Sequence, residues 1–419
     1  MKEIPKLNLS NSFKQFEKAK ELIPGGVLGI RRPYNFVPGE YPIFFDSGKG
    51  GRITDIDGNE YIDYLCAYGP IIIGYREDEI DNVVISQIQN KGFCFSLVQQ
   101  YQNTLAIKLK ELIPSAEMCL FVMTGSDATT TAIRLARSYT GKTKIMRCGY
   151  HGWHDWCVEA KGGIPKKLYE DVYEFEYNNL EALEALLKEH KDGVAAVIIT
   201  PFGHPLAMEM QEPTKGYLEG VKTLTHKYGA VLIFDEIRTG FRVSIGGAQK
   251  HYGVTPDMSV FGKAIANGYP LAVVCGKSDI MKRGESDVFI SSTFFANSLG
   301  YVAALKTIEI LERDKIIDAV WEKGKYLMDG IKKHLKTYED IGAELTGIAP
   351  MMFITFKKDS NKIYKEKRND FYTQLIRRKV FLQPYHHGYV CYRHTKEDLD
   401  YTINAIEESL IYLKVKYTK

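Results

Sequence analysis

Between about residues 115 and 280, short apolar runs without polar interruption alternate with stretches of helical period, and few architectures accommodate that pattern. Met118-Cys119-Leu120-Phe121-Val122-Met123 leads into a predicted helix over Asp127 to Tyr139. Val194 to Thr200 is followed by one near Tyr217 to His226, and then come Val231 to Phe234 and Leu271 to Cys275. A strand that is apolar at every position must be covered on both faces, and helices returning between parallel strands supply that cover. The expected fold class is α/β, a large domain around a mostly parallel sheet. The chain ends read differently: Asp55 to Tyr64 has the form of a hairpin around Gly58. Met351 to Phe356 reads as a strand, followed by an amphipathic helix from about Glu397 to Leu413. Both ends are assigned to one smaller α+β domain. The expected division is 1–70 for the N-terminal segment and part of the small domain, 71–315 for the large domain, and 316–419 for the rest of the small domain.

Composition narrows the classes further. A chain of 419 residues with 45% hydrophobic and 26% charged residues can bury a large core, which excludes disorder, collagen and coiled coil. Lys and Arg total 55 against 52 Asp and Glu, with no polybasic block, so neither nucleic acid nor an anionic membrane is an expected partner. No apolar stretch approaches the roughly 20 residues needed to cross a bilayer. The polar start Met1-Lys2-Glu3-Ile4-Pro5 lacks the features of a secretory signal, and the expected location is cytoplasmic. The 7 cysteines form no Cys-x-x-Cys pair and are read as reduced core thiols, with no disulfide framework and no metal site.

In an open parallel sheet, ligands sit beyond the carboxyl ends of the strands, so polar residues just after apolar runs carry the chemistry. After Met118 to Met123 comes Thr124-Gly125-Ser126-Asp127, opening a helix. It reads either as an ordinary N-cap or as a cradle whose first-turn N–H groups hold an anion such as phosphate. After Val231 to Phe234 comes Asp235, suited to capping the next turn or to holding a positively charged ring nitrogen. After Met258 to Phe261 comes Gly262-Lys263-Ala264, whose lysine is either solvated or an amine in an apolar setting, able to attack a carbonyl. Phosphate cradle, carboxylate and amine in one α/β domain are together what pyridoxal 5'-phosphate requires: an anion site, a partner for its pyridine nitrogen and a lysine for its aldehyde. No Gly-x-x-x-x-Gly-Lys-Ser/Thr run and no Gly-x-Gly-x-x-Gly after a strand competes with this reading.

The run Leu232-Ile233-Phe234-Asp235-Glu236-Ile237-Arg238-Thr239-Gly240-Phe241-Arg242, with Gly246-Gly247-Ala248-Gln249, Tyr252 to Asp257 and Gly262-Lys263, resembles the class III pyridoxal-phosphate aminotransferases. Within them it is most similar to glutamate-1-semialdehyde 2,1-aminomutase and its relatives. The likeness extends from Leu22-Ile23-Pro24-Gly25-Gly26-Val27 to His394-Thr395-Lys396-Glu397-Asp398. The resemblance implies a fold-type I homodimer with two shared active sites. Lys263 would carry the cofactor's aldehyde and shuttle a proton, and Asp235 would pair with the pyridinium nitrogen. Gly125 and Ser126 would bind the phosphate, Tyr150 and Ile237 would face the two sides of the ring, and His151 would belong to the same shell. Thr293 would reach the phosphate of the neighbouring subunit.

Substrate positions depart from the aminomutase pattern. Arg32 falls where that pattern places an arginine for the substrate carboxylate, but Gly29 replaces its neighbouring serine and Ala296-Asn297-Ser298 replaces Gly-Asn-Pro. Arg238 stands where many relatives have Met or Gln, as a second anion anchor or the partner of a nearby carboxylate. Thr200 to His204 replaces a Glu-Pro segment. Arg32, Tyr68, His204 and Arg238 are the candidate substrate contacts. The expected activity is aminotransfer between a small amino donor and a carbonyl acceptor. The alternatives are intramolecular exchange by an aminomutase and a non-catalytic binding protein on the same fold.

Overall fold

The computed structural model describes residues 4–203 and 209–417. They form two compact units, one running from Asp78 to residue 203 and from Gln211 to Ile317, the other built from the segments through Glu77 and from Asp318 onward.

The first unit contains a seven-stranded sheet in the order Met118–Val122, Ala272–Gly276, Met258–Phe261, Val231–Asp235, Val194–Ile199, Lys144–Cys148, Val172–Glu174. All neighbours are parallel except Ala272–Gly276, which is antiparallel to both of its partners. The unbroken apolar runs have a direct cause. In Val231–Asp235, Val231 and Ile233 enter a core on one face with Ala128, Ala132 and Ile133, while Leu232 and Phe234 enter a second core on the other face with Leu218 and Val221. Alternate residues of a strand point to opposite faces, so a strand between two cores is apolar throughout. The helix Gly125–Thr140 covers the first face; it starts at a capping box in which Thr124 Oγ1 accepts from the Asp127 amide while the Asp127 carboxylate accepts from the Thr124 amide.

The second unit holds a four-stranded sheet, Phe45–Lys49, Arg52–Asp55, Glu60–Asp63 and Val380–Phe381, and a three-stranded sheet, Ala343–Ile348, Met351–Phe356 and Gly388–Tyr389. The hairpin expected around Gly58 is present, with Ile53 opposite Tyr61 and Thr54 opposite Glu60. Asp55 closes its turn by accepting from the amides of Asp57 and Asn59 at 2.9 and 2.8 Å. The expected C-terminal helix spans Lys396–Tyr417.

One turn of this unit is conformationally unusual. Cys66, Ala67 and Tyr68 have φ of +46°, +54° and +67°, and Gly69 follows at +106°. Three successive non-glycine residues in the left-handed region cost roughly 1–2 kcal/mol each, so the surroundings must enforce the turn. Asp63 does so: its buried carboxylate accepts from the amides of Leu65 (2.7 Å) and Cys66 (3.1 Å) and from the Tyr75 hydroxyl (2.7 Å). Burial pushes the Asp63 carboxyl up to about 6, against the opposing pull of these donors.

The reading of all cysteines as core thiols needs correction. Cys66, Cys148, Cys157, Cys275 and Cys391 are buried, but Cys119 is only partly so and Cys94 is exposed. Among the described residues no helix is long and apolar enough to cross a membrane.

Candidate active site

Four strands of the seven-stranded sheet that run in the same direction end in the residues singled out from the sequence. Met118–Val122 is followed by Thr124 to Ser126, Lys144–Cys148 by Tyr150 and His151, Val231–Asp235 ends in Asp235, and Met258–Phe261 is followed by Gly262 and Lys263. Topology alone therefore brings a helix N-terminus, an imidazole, a carboxylate and an amine to one edge of the sheet.

Asp235 is 4% exposed and lies opposite Val260 in the ladder, two residues before Gly262. One carboxylate oxygen accepts from the Ile237 amide at 3.1 Å, and the other lies 2.8 Å from Nδ1 of the buried His151. With a carboxylate as acceptor, Nδ1 carries the proton and donates. The imidazole stacks on Trp156 at 6.3 Å with planes 9° apart, and the His151 carbonyl accepts from Thr129 Oγ1 at 2.7 Å. His151 thus fixes the orientation of Asp235 and is itself fixed. A structural role beside it escaped the sequence reading: the neighbouring Glu236 is fully buried and bonds away from Asp235. It accepts from Thr239 Oγ1 and from the amides of Ala248 and Gln249, the latter two at 2.7 and 2.8 Å, and burial raises its pKa. Glu236 ties the turn after Asp235 to the short helix Gly247–Tyr252. The available signal was Thr239, three residues on, but the return of the chain at residue 248 is not encoded locally.

Lys263 opens a short 3₁₀ turn, Lys263–Ala266, with φ of +48°. A lysine in the left-handed region is strained, and such strain gathers where a side chain has to be aimed. Desolvation holds the Lys263 amine well below its ordinary pKa; Arg238 and Arg242 add to that effect and Asp235 opposes it. The neutral, nucleophilic form of the amine is thereby favoured relative to an exposed lysine.

Ile237 joins these parts. Its side chain lies 3.2 Å from where a Cβ of Gly125 would stand and equally close to that of Gly262, so it is packed between the start of the helix and the residue before Lys263. At the helix start, the amides of Gly125 and Ser126 belong to the first turn and have no intrahelical acceptor. The Ser126 hydroxyl accepts from the Trp153 amide at 3.2 Å. This approach requires Gly152, with φ of +112°, because a Cβ there would fall 2.4 Å from Ser126 Oγ. Tyr150, 40% exposed, lies under the buried Arg238, whose guanidinium carbon is 5.5 Å from the ring centroid. Thr293 is exposed in a turn before the helix Ser298–Arg313.

Of the remaining expected contacts, Arg32 and Tyr68 belong to the other unit. There Arg32 donates to the Tyr34 hydroxyl at 3.2 Å, and Tyr68 meets His386 edge-on at 5.1 Å under the guanidinium of Arg31. His204 lies outside the described residues.

The donor set at the sheet edge fits pyridoxal phosphate. It has a desolvated amine for the aldehyde, a buried carboxylate oriented by a histidine for a cationic ring nitrogen, and a helix N-terminus for a phosphate. Comparison with known proteins agrees with that chemistry. Residues 36–409 match the family model described as aminotransferase class-III. A 3-aminobutyryl-CoA aminotransferase of Cloacimonas acidaminovorans is 64% identical over 409 residues, 98% of this chain and 99% of that protein. A glutamate-1-semialdehyde 2,1-aminomutase of Natranaerobius thermophilus is 33% identical, covering 96% of this chain and 99% of its own length. Among solved structures, the FumI protein of a Sphingopyxis species, in its internal aldimine form with pyridoxal phosphate, superposes with a TM-score of 0.92 at 28% identity, covering 97% of each chain.

Proposed function

The chain belongs to the class III aminotransferases, which depend on pyridoxal phosphate, and we propose that the amino group it moves is that of a 3-aminoacyl coenzyme A thioester, with 3-aminobutyryl-CoA the first substrate to test. The single observation that carries the substrate is the 64% identity, over nearly the full length of both proteins, to an aminotransferase named for that thioester. The aminomutase matches only at 33%, and the substitutions at Gly29 and Ala296 to Ser298 fall where its pattern contacts substrate. In this reaction C3 of the thioester loses its amine and a hydrogen and becomes a carbonyl carbon, while the acceptor's carbonyl carbon is reduced to an amine.

The bound cofactor supplies an electron sink that stabilises negative charge at the substrate carbon. The protein's part falls to residues of the sheet edge. We assign Lys263 to hold the aldehyde and, once released, to move the proton at the substrate carbon, a task suited to an amine whose pKa desolvation lowers. Asp235 keeps the ring nitrogen protonated and His151 holds Asp235 in line. Gly125 and Ser126 receive the phosphate, and Tyr150 and Ile237 border the ring. Arg238, stacked on Tyr150, keeps a positive charge beside Lys263 and is assigned to an anionic group of the acceptor. Arg32 and Tyr68 remain assigned to substrate, and Thr293 to the phosphate held by the other copy in a cytoplasmic homodimer.

The test is to incubate the purified enzyme with pyridoxal phosphate, 3-aminobutyryl-CoA and a panel of 2-oxo acids, following the 3-oxo thioester by mass. Turnover exceeding that of glutamate-1-semialdehyde by at least ten-fold is expected. Efficient conversion of glutamate-1-semialdehyde to 5-aminolevulinate, with no reaction of the thioester, would contradict the reading.

A further inference from the structure

The second unit contains a cavity of about 340 Å³ whose lining, apart from Tyr68, has no binding role assigned so far. That volume lies within the range of about 300–1,000 Å³ typical of small-molecule sites. Its inner wall is apolar and buried, formed by Pro42, Ile53, Leu65 and Phe381, and its lip carries Ser47, Ala67 and Arg31, all exposed. Two backbone irregularities border it. The strand Phe45–Lys49 is bulged between Phe45 and Ser47, so that Phe45 faces Asp55 while Ser47 faces Thr54. The other is the left-handed turn Cys66 to Tyr68, two of whose residues, Ala67 and Tyr68, line the cavity. Bulges and left-handed runs that the surroundings must enforce concentrate where a fold shapes a binding surface.

The polar groups of the lining are Arg31, Asp46, Ser47, Asp63, Tyr68 and Tyr75. The Tyr75 hydroxyl donates to Asp63 and keeps its lone pairs for a further donor. The Arg31 guanidinium lies 5.6 Å above the Tyr68 ring, offering planar N–H donors at the lip. Aliphatic and aromatic walls with separated donors and acceptors suit a slender chain carrying amides, whose N–H groups can donate to the Asp46 carboxylate and whose carbonyls can accept from Arg31. A coenzyme A thioester brings such a chain: its pantetheine arm has two amides, a hydroxyl and a gem-dimethyl group.

We propose that this cavity binds the pantetheine arm of the thioester, with the gem-dimethyl segment against the apolar wall and an amide carbonyl at Arg31. The proposal rests on the thioester reading above and adds the place where the arm is recognised.

The experiment uses the holoenzyme and measures calorimetric binding of pantetheine and of coenzyme A, together with KM for 3-aminobutyryl-CoA and for free 3-aminobutyrate. Ser47→Trp and Ala67→Phe each add bulk to the cavity lining; Lys191→Ala is the control. Each filling substitution is expected to weaken pantetheine binding at least ten-fold and to raise the thioester KM at least ten-fold more than that of the free acid. Lys191→Ala, at an exposed position of the other unit, should stay within about two-fold of the parent. Wild-type affinity for pantetheine in both filled variants, with their folding verified by circular dichroism, overturns the proposal. If the parent turns over no thioester, the substrate reading fails by itself. The cavity assignment then stands only if pantetheine still binds and the filled variants lose it.

Discussion

The Lys263 amine faces competing demands: Asp235 would favour its charge, while desolvation and two arginines oppose it, and the opposing influences prevail. That balance has a consequence for the cofactor-free protein. Between the depressed native pKa and the ordinary value of 10.5, the unfolded chain holds a proton that the folded chain lacks, so this residue's contribution to stability rises with pH through the window. Lys263→Met should therefore raise the melting temperature of the cofactor-free protein at pH 7, with the difference from wild type shrinking as pH approaches 10.5. A pH-independent difference in thermal melts would show the amine to be charged in the fold. Asp235→Asn removes a charge from a water-poor site and should lower kcat by about 10²–10³-fold, the cost of losing one such stabilising group; steady-state kinetics within a factor of a few of wild type would remove it from the site. Both residues were legible because each follows an apolar run directly. Glu236 was not, because its amide partners at 248 and 249 are brought back by a loop whose course no local pattern encodes.

At the scale of single elements, the turn Cys66 to Gly69 depends on one carboxylate. The Asp63 pKa is raised to about 6 from 3.8, so the folded state binds a proton that the unfolded chain releases in that interval. Its contribution is fully present below about 3.8 and is lost as pH rises through about 6, a span worth about 3 kcal/mol at about 1.4 kcal/mol per unit. Asp63→Asn should flatten the fall in denaturant stability over that range relative to wild type; an unchanged slope would mean that Asp63 does not titrate there. The cap of the helix Gly125–Thr140 is a second such element. Thr124→Ala should cost about 1 kcal/mol in urea unfolding and weaken pyridoxal phosphate binding, since the same first turn carries the Gly125 and Ser126 amides. Elements buried on both faces, such as Val194–Ile199, were readable from composition alone. Phe45–Lys49 was not: its sequence is polar and its residues are largely exposed, so it lacks the contrast that marks a strand. The reversed direction of Ala272–Gly276 was equally hidden, because an apolar run is the same whichever way its neighbours point.

For the whole molecule, the α/β class followed from a repeated physical requirement, two covered faces for every apolar strand. The substrate did not follow from it. A thioester and a semialdehyde make the same demands on amine, carboxylate and phosphate cradle and differ only in what lies around them. Assembly is tested at this scale too. Thr293 is exposed in the single chain, and if the other copy's phosphate engages it, Thr293→Ala should weaken cofactor binding by about ten-fold, the loss of one hydrogen bond to a charged group, without changing the unfolding of the cofactor-free chain. Unchanged cofactor affinity would remove it from the shared site. The most direct measurement for the whole account is to load the protein with pyridoxal phosphate, reduce it with borohydride, digest it and locate the attached pyridoxyl group by mass spectrometry. The account predicts one modified peptide, containing Lys263. Label on a different lysine, or none at all, would contradict it.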